Sequence, residues 1–293
     1  MSDRRARFRD WPNREASRFI RAAGFGWHVQ VIGQGPPILL LHGTAAATHS
    51  WRGMMPLLAA RFTVIAPDLP GHGFTETPAL SRMSLPGMAA ALKSLLQTLE
   101  IAPRLIVGHS AGAAIALRMV LDGPASPAGL PVGIIGLNAA LKPFDGVAGQ
   151  IFSPLAKLLV GLPLLPELFA WRAKNMAMVG KLLADTGSPL DPEGVALYAR
   201  IIQDPRHTAA ALAMMARWDL KPLIAELPRL TLPLLLLAGD EDRAIPPTVS
   251  DDAARLIPRA RVIHLPGQGH LGHEQDPAGT AAIIEAFATE VGA

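Results

Sequence analysis

The chain has 293 residues, of which 50% are hydrophobic and 17% charged, with a formal net charge of +3. That charged share lies below the usual level of about 25%, so there is ample apolar mass for one large α/β domain or two small ones. Either the core is large or some apolar surface serves a lipid, a partner or a bulky apolar ligand. The absence of cysteine excludes a disulfide scaffold, thiolate metal sites and cysteine nucleophiles, and fits a reducing compartment.

At the N-terminus Arg4, Arg5, Arg7, Arg9 and Arg14 outnumber Asp3, Asp10 and Glu15. This arm reads as solvated charge, with an electrostatic foot on anionic lipid or a partner as the sharper alternative. No apolar stretch follows these arginines, so no secretory signal peptide is expected. No basic stripe is interleaved with aromatics, which argues against nucleic-acid binding. Gly26 to Ile32 reads as an early strand, Ile38 to Leu41 as a fully apolar one turned by His42-Gly43, and Phe62 to Ala66 as a third ending at Pro67-Asp68. Ser84 caps a helix running to about Glu100, with Met88, Leu92, Leu95, Leu96 and Leu99 at helical spacing. Leu105 to Val107 is a strand, Ala111 to Leu121 an alanine-rich helix, and Val132 to Leu137 the next buried strand.

From Leu141 to Asp219 strand signals vanish. Helical segments appear there, broken by Pro143, Pro154, Pro163, Pro189, Pro192 and Pro205. The greasiest piece, Leu158 to Trp171, is interrupted by Pro163, Pro166 and Glu167 and is too short to span a bilayer. The protein is therefore expected in the cytoplasm, at most peripheral to a membrane. Strands return at Leu232 to Ala238 and Val262 to Leu265, and a helix after Pro277 closes the chain. Short apolar runs alternating with helices predict an α/β fold: a mostly parallel sheet flanked by helices, residues 1–140 and 220–293 forming the core and 141–219 a helical cap inserted between two core strands.

Gly108-His109-Ser110-Ala111-Gly112 matches G-x-S-x-G between an apolar strand and a small-residue helix. A serine on so sharp a turn is strained, its neighbours must be small, and its hydroxyl stands clear above the sheet. Ser110 is the expected nucleophile. His270, in the glycine-loosened loop Pro266-Gly267-Gln268-Gly269-His270, is the expected base, with His273 as the fallback. Gly239-Asp240-Glu241-Asp242 follows a strand, and Asp242 is the expected acid that orients the base, with Asp240 and Glu241 in reserve. A metal set of His270, His273 and Glu274 fits no common spacing, and no metal or cofactor is expected. Ala111 and Thr44 offer the two amides of an oxyanion hole. His42, Gly43, His109, Phe144 and Trp218 are the expected substrate contacts. Asp68-Leu69-Pro70-Gly71-His72-Gly73 shapes the cleft and does no chemistry.

With Ser before Asp before His, these segments resemble the α/β-hydrolase superfamily across essentially the whole chain. The resemblance implies that 141–219 corresponds to that family's cap. A narrower likeness runs through Asp10 to Glu15, His42-Gly43-Thr44, Thr48-His49-Ser50-Trp51, Gly108 to Ala114, Leu137-Asn138-Ala139-Ala140 and Met214 to Leu220. These look like the BchO-type magnesium-chelatase accessory proteins of bacteriochlorophyll biosynthesis. That likeness implies a phototrophic bacterium, a role near magnesium insertion into protoporphyrin, and magnesium-chelatase subunits as partners. A cap rich in Met, Leu and Trp suits a flat apolar tetrapyrrole-like substrate. Two functions follow: a serine hydrolase acting on an ester-like or other acyl bond, or a non-hydrolytic tetrapyrrole-binding or chelatase-assisting protein with an idle triad. A dehalogenase or epoxide hydrolase is disfavoured because position 110 is serine and those resemble this fold with aspartate there; carbon–carbon bond hydrolysis by the same triad stays open.

Overall fold

In the computed structural model, which describes residues 8–123, 129, 131–142 and 165–293, eight strands form one sheet in the order β1-β2-β4-β3-β5-β6-β7-β8. The strands are β1 Ser17–Ala22, β2 Phe25–Ile32, β3 Pro37–Leu41, β4 Thr63–Pro67, β5 Leu105–His109, β6 Gly133–Leu137, β7 Leu234–Gly239 and β8 Ala260–Leu265. The β1–β2 and β2–β4 pairs are antiparallel; every pair from β4 through β3 to β8 is parallel. The parallel strands are covered on both faces, so they must be apolar throughout instead of alternating. Successive side chains point to opposite sides. Leu39, Leu41 and Ile106 join the layer that holds the helices Leu85–Thr98 and Ala111–Leu121. Ile38, Leu40 and Val107 join the opposite layer, with the helices Met54–Leu58 and Pro277–Val291. Each such leucine or isoleucine contributes about 1.5–3 kcal/mol on burial. The structure also contains a strand the periodicity does not announce, β1, whose Arg18 and Phe19 are exposed at the sheet edge.

Between β6 and β7 lie the helices Leu165–Arg172, Met176–Ala184, Pro192–Ile202 and Pro205–Ala216. Three of them start on polar caps that the sequence supplies: Asn175, Asp191 and Asp204 each accept an amide of the first turn. This insertion packs on loops at the carboxyl edge of the sheet. His207 Nδ1 accepts from the Gly73 amide at 3.0 Å, His207 Nε2 donates to Ala45 O at 3.3 Å, and the Thr44 hydroxyl meets Met214 Sδ at 3.7 Å. Trp11, buried near the N-terminus, packs in one cluster with Val179, Leu197 and Tyr198 of the insertion and donates from Nε1 to the Thr48 hydroxyl at 2.9 Å. Among the described residues no helix is long and apolar enough to cross a membrane.

Candidate active site

Ser110 occupies the turn between β5 and the helix Ala111–Leu121 with φ 51° and ψ −116°. A non-glycine residue at such an angle is strained, and strain of this kind is held in place only by surrounding structure that over-determines it. Here the Ser110 amide donates to Leu137 O of β6 at 2.9 Å, and the Ser110 carbonyl accepts from Ala113 and Ala140. Two glycines make the turn possible. A Cβ on Gly108 would lie 2.4 Å from the Ala113 amide nitrogen, and one on Gly112 would lie 2.1 Å from Leu41 O. Gly112→Ala is therefore expected to lower stability by about 1–3 kcal/mol, the usual range for overpacking a close contact. Urea unfolding would read this change, and unaltered stability would mean that the turn relaxes without cost.

Ser110 itself is partly exposed. Among the described residues no hydrogen bond engages its hydroxyl, as is common before a substrate arrives. Gly43, after β3, lies directly beside it: a Cβ there would sit 3.1 Å from Ser110 Cβ. The next amide, Thr44, and the Ala111 amide at the first helical position have no backbone acceptor among the described residues. First-turn amides of a helix lack intrahelical partners, and the helix dipole adds positive potential there.

At the ends of β7 and β8, His270 Nδ1 donates to Asp242 Oδ2 at 2.8 Å. The same carboxyl oxygen accepts from Asn138 Nδ2 at 2.6 Å, while Oδ1 accepts from the Ala244 and Ile245 amides, each at 2.8 Å. Burial pushes the Asp242 carboxyl up, but the hydrogen bond and charge of His270, with the bonds from Asn138 and Ile245, bring it below the ordinary range. Asp242 is thus held as a carboxylate whose bond to Nδ1 fixes the orientation of the His270 ring. In the sequence Asn138 stands out only as part of the Leu137 to Ala140 segment, with no role at the site. At the end of β6 it adopts φ 46°, a conformation that asparagine tolerates better than most residues. Asn138 Nδ2 also reaches Gly269 O at 3.1 Å, joining the loop that carries Asp242 to the loop that carries His270.

The other carboxylates and the fallback histidine go elsewhere. Asp240 pairs with exposed His264 at 3.0 Å, and Glu241 is exposed. His273 is buried with Nε2 on the Ser50 hydroxyl at 2.8 Å. Glu274 accepts from Ser50, from Arg52 and from the Tyr198 hydroxyl. His270 thus turns to Asp242 while His273 and Glu274 share the Ser50 hydroxyl, and among the described residues no group of three or more metal-ligating side chains converges. The proposed substrate contacts divide. Gly43 abuts Ser110. His42 is fully buried, its Nδ1 donating to Gly43 O at 2.8 Å and its Nε2 accepting from the Leu69 amide at 2.9 Å. Its ring supports the turn from beneath and has no free edge for a ligand. His109 is 2% exposed and donates from Nε2 to His270 O at 2.8 Å, its ring 4.8 Å from that of His270. It supports His270 from behind its backbone carbonyl. Trp218 packs, partly buried, against the main core. Phe144 lies outside the described residues. Asp68 is also fully buried; it accepts from His28 Nδ1 at 2.7 Å and from the Thr48 and Phe74 amides, which anchors the loops after β3 and β4.

A strained serine elbow after β5, an acid after β7 and a histidine after β8, at one edge of a largely parallel sheet, define a class of fold and site. The model of the Alpha/beta hydrolase family matches residues 38–283, and the chain belongs to that family. Within it, the chain is 44% identical over 284 residues to the protein named Magnesium-chelatase 30 kDa subunit of Rhodobacter capsulatus, covering 96% of this chain and 98% of that one. It is 26% identical to the 2-hydroxy-6-oxo-2,4-heptadienoate hydrolase of Pseudomonas putida, over 94% of this chain and 97% of that one. Among solved structures, a ligand-free epoxide hydrolase, CorEH, superposes with a TM-score of 0.79 at 22% identity, over 94% of this chain and 99% of that one, a likeness of fold.

Proposed function

We propose that this protein is a serine-nucleophile hydrolase that cleaves an ester-like or other acyl bond of an apolar substrate. We place it as an accessory at the magnesium-chelatase step of bacteriochlorophyll biosynthesis. The observation that carries the chemistry is the His270–Asp242 contact of 2.8 Å at the same sheet edge as the strained Ser110 turn. The 44% identity to the protein named as a chelatase subunit supports the setting, with chelatase subunits as partners and a tetrapyrrole-like acyl compound as the substrate class.

In the reaction, Ser110 Oγ attacks the carbonyl carbon while His270 Nε2 takes the hydroxyl proton. The carbonyl π electrons move to oxygen, and the Thr44 and Ala111 amides stabilise that oxyanion. Asp242 stabilises the imidazolium without taking its proton. Collapse of the tetrahedral intermediate breaks the bond to the leaving group, which receives the proton from His270. Water, deprotonated by the same nitrogen, then attacks the acyl-serine, and Ser110 leaves reprotonated. Residues 141–219 act as the cap over this centre.

Mass spectrometry of the intact protein after exposure to a fluorophosphonate tests the reading. One adduct is expected on the wild type and none on Ser110→Ala. A folded wild type that takes up no adduct would overturn the hydrolase chemistry and favour the non-hydrolytic tetrapyrrole-binding role.

A further inference from the structure

The residues Thr186-Gly187-Ser188 connect two helices of the insertion, Met176–Ala184 and Pro192–Ile202. They run between the loop that carries Asp242 and the loop that carries His270. Thr186 O accepts one amide from each: Arg243 N at 3.1 Å and His270 N at 3.3 Å. Gly187, with φ 87°, is pressed against both. A Cβ on it would lie 1.9 Å from Glu241 O, and a Cβ on Gly269 would lie 2.1 Å from Gly187 O. Only glycine on each side of that contact lets the three backbones meet.

Ser188 is fully buried and completes the clamp. Its hydroxyl accepts from the Leu271 amide at 2.7 Å and donates to Gln275 Oε1 at 3.1 Å. The same Gln275 oxygen accepts from the Gly269 amide at 2.9 Å. The three consecutive amides of Gly269, His270 and Leu271 are thus held in turn by Gln275, Thr186 and Ser188. Two of those three acceptors belong to the insertion, so the placement of the base depends on an element outside the sheet.

We propose that Ser188 is a positioning residue for His270, and that through it the insertion sets the geometry of the base. The catalytic part of this inference rests on the proposed role of His270. Removing the Ser188 hydroxyl leaves the Leu271 amide buried without its acceptor and leaves Gln275 Oε1 held by the Gly269 amide alone. The His270 loop then shifts, and a displacement of about 1 Å at a reacting group costs on the order of 100-fold in rate.

Two readouts on the full-length protein separate the possibilities: the second-order rate of fluorophosphonate labelling across pH, and the downfield proton resonance of His270 Nδ1–H in its bond to Asp242, assigned by its loss in His270→Gln. Ser188→Ala is expected to fold, to label about 10–100-fold more slowly at every pH, and to show that resonance weakened or exchange-broadened. Gln275→Leu, which removes the shared acceptor, is expected to act in the same direction and decides the matter if Ser188→Ala does not fold. A folded variant with the wild-type rate and an unchanged resonance overturns the inference while the hydrolase reading stands. If the wild type itself takes no label, the hydrolase reading fails. The resonance then decides alone: its loss in Ser188→Ala supports the positioning role, and its persistence overturns it.

Discussion

Asp242→Asn is expected to slow acylation of Ser110 by about 10³–10⁴-fold, the scale seen when the acid of a serine triad becomes an amide. The expectation rests on the proposed role of His270 and on the way Asp242 is held. Asp242 Oδ1 is committed to the Ala244 and Ile245 amides, so an asparagine keeps its oxygen there and turns its NH2 toward His270. That NH2 meets two groups that now donate, His270 Nδ1 and Asn138 Nδ2. The imidazole responds by carrying its proton on Nε2, where the base is needed. Asn138 retains Gly269 O as an acceptor, so the loops stay together and the stability cost is limited to about 1–3 kcal/mol. Fluorophosphonate labelling rates on wild type and variant, beside their urea unfolding curves, check both parts. A labelling rate within tenfold of wild type would remove Asp242 from the mechanism.

The second large effect is acid denaturation that begins near neutrality. Burial depresses the imidazoles of His42, His49, His72, His109, His207 and His273; it pushes His109 down to about 3 and His207 down to about 4. Their surroundings oppose this incompletely. Asp68 faces His42, His49, His72 and His207 and favours the cation, whereas Arg52 disfavours it at His49 and His273. Both ring nitrogens of His49, with His72 Nε2, His109 Nδ1 and His273 Nδ1, are buried without hydrogen-bond partners among the described residues. An added proton there would find no acceptor.

The sign follows from linkage. Below about pH 6.5 the unfolded chain binds protons on these imidazoles and the folded chain does not, so stability is full above that pH and is lost as pH falls toward 4. All six shifts act in the same direction, so their losses accumulate as the pH falls. Asp68 and Asp242, both held below the carboxylate range, add to the loss at lower pH still. Exposed His264, raised by Asp251 and Asp240, acts weakly in the opposite sense. Urea midpoints at pH 8, 7, 6 and 5 should fall steeply over the last two steps, and His49→Phe should reduce the slope by about one proton. Midpoints that stay level from pH 8 to 5 would show that the buried rings accept protons in place.

The parts of this protein that can be read along the chain are those whose cause is local. Runs such as Ile38–Leu41 and Leu234–Leu237 announce parallel strands because both of their faces are buried. Gly108 to Gly112 announces the elbow because only small residues permit that turn. Edge strand β1 escapes the same reasoning, since Arg18 and Phe19 face solvent and leave no apolar rhythm. Asp240, Glu241 and Asp242 are equivalent as letters. Which of them meets His270 depends on a turn whose partner lies 28 residues away. Asn138 reaches Asp242 across 104 residues, and Ser188 reaches Leu271 across 83. Most of the nine histidines look alike until burial and a specific acceptor separate a proposed base from rings that stay neutral. Hydrophobic burial acts on every apolar group in much the same way, so its imprint is periodic and legible. Hydrogen bonds are directional and short, and their partners become neighbours only when the sheet edge and the inserted helices have brought distant loops together.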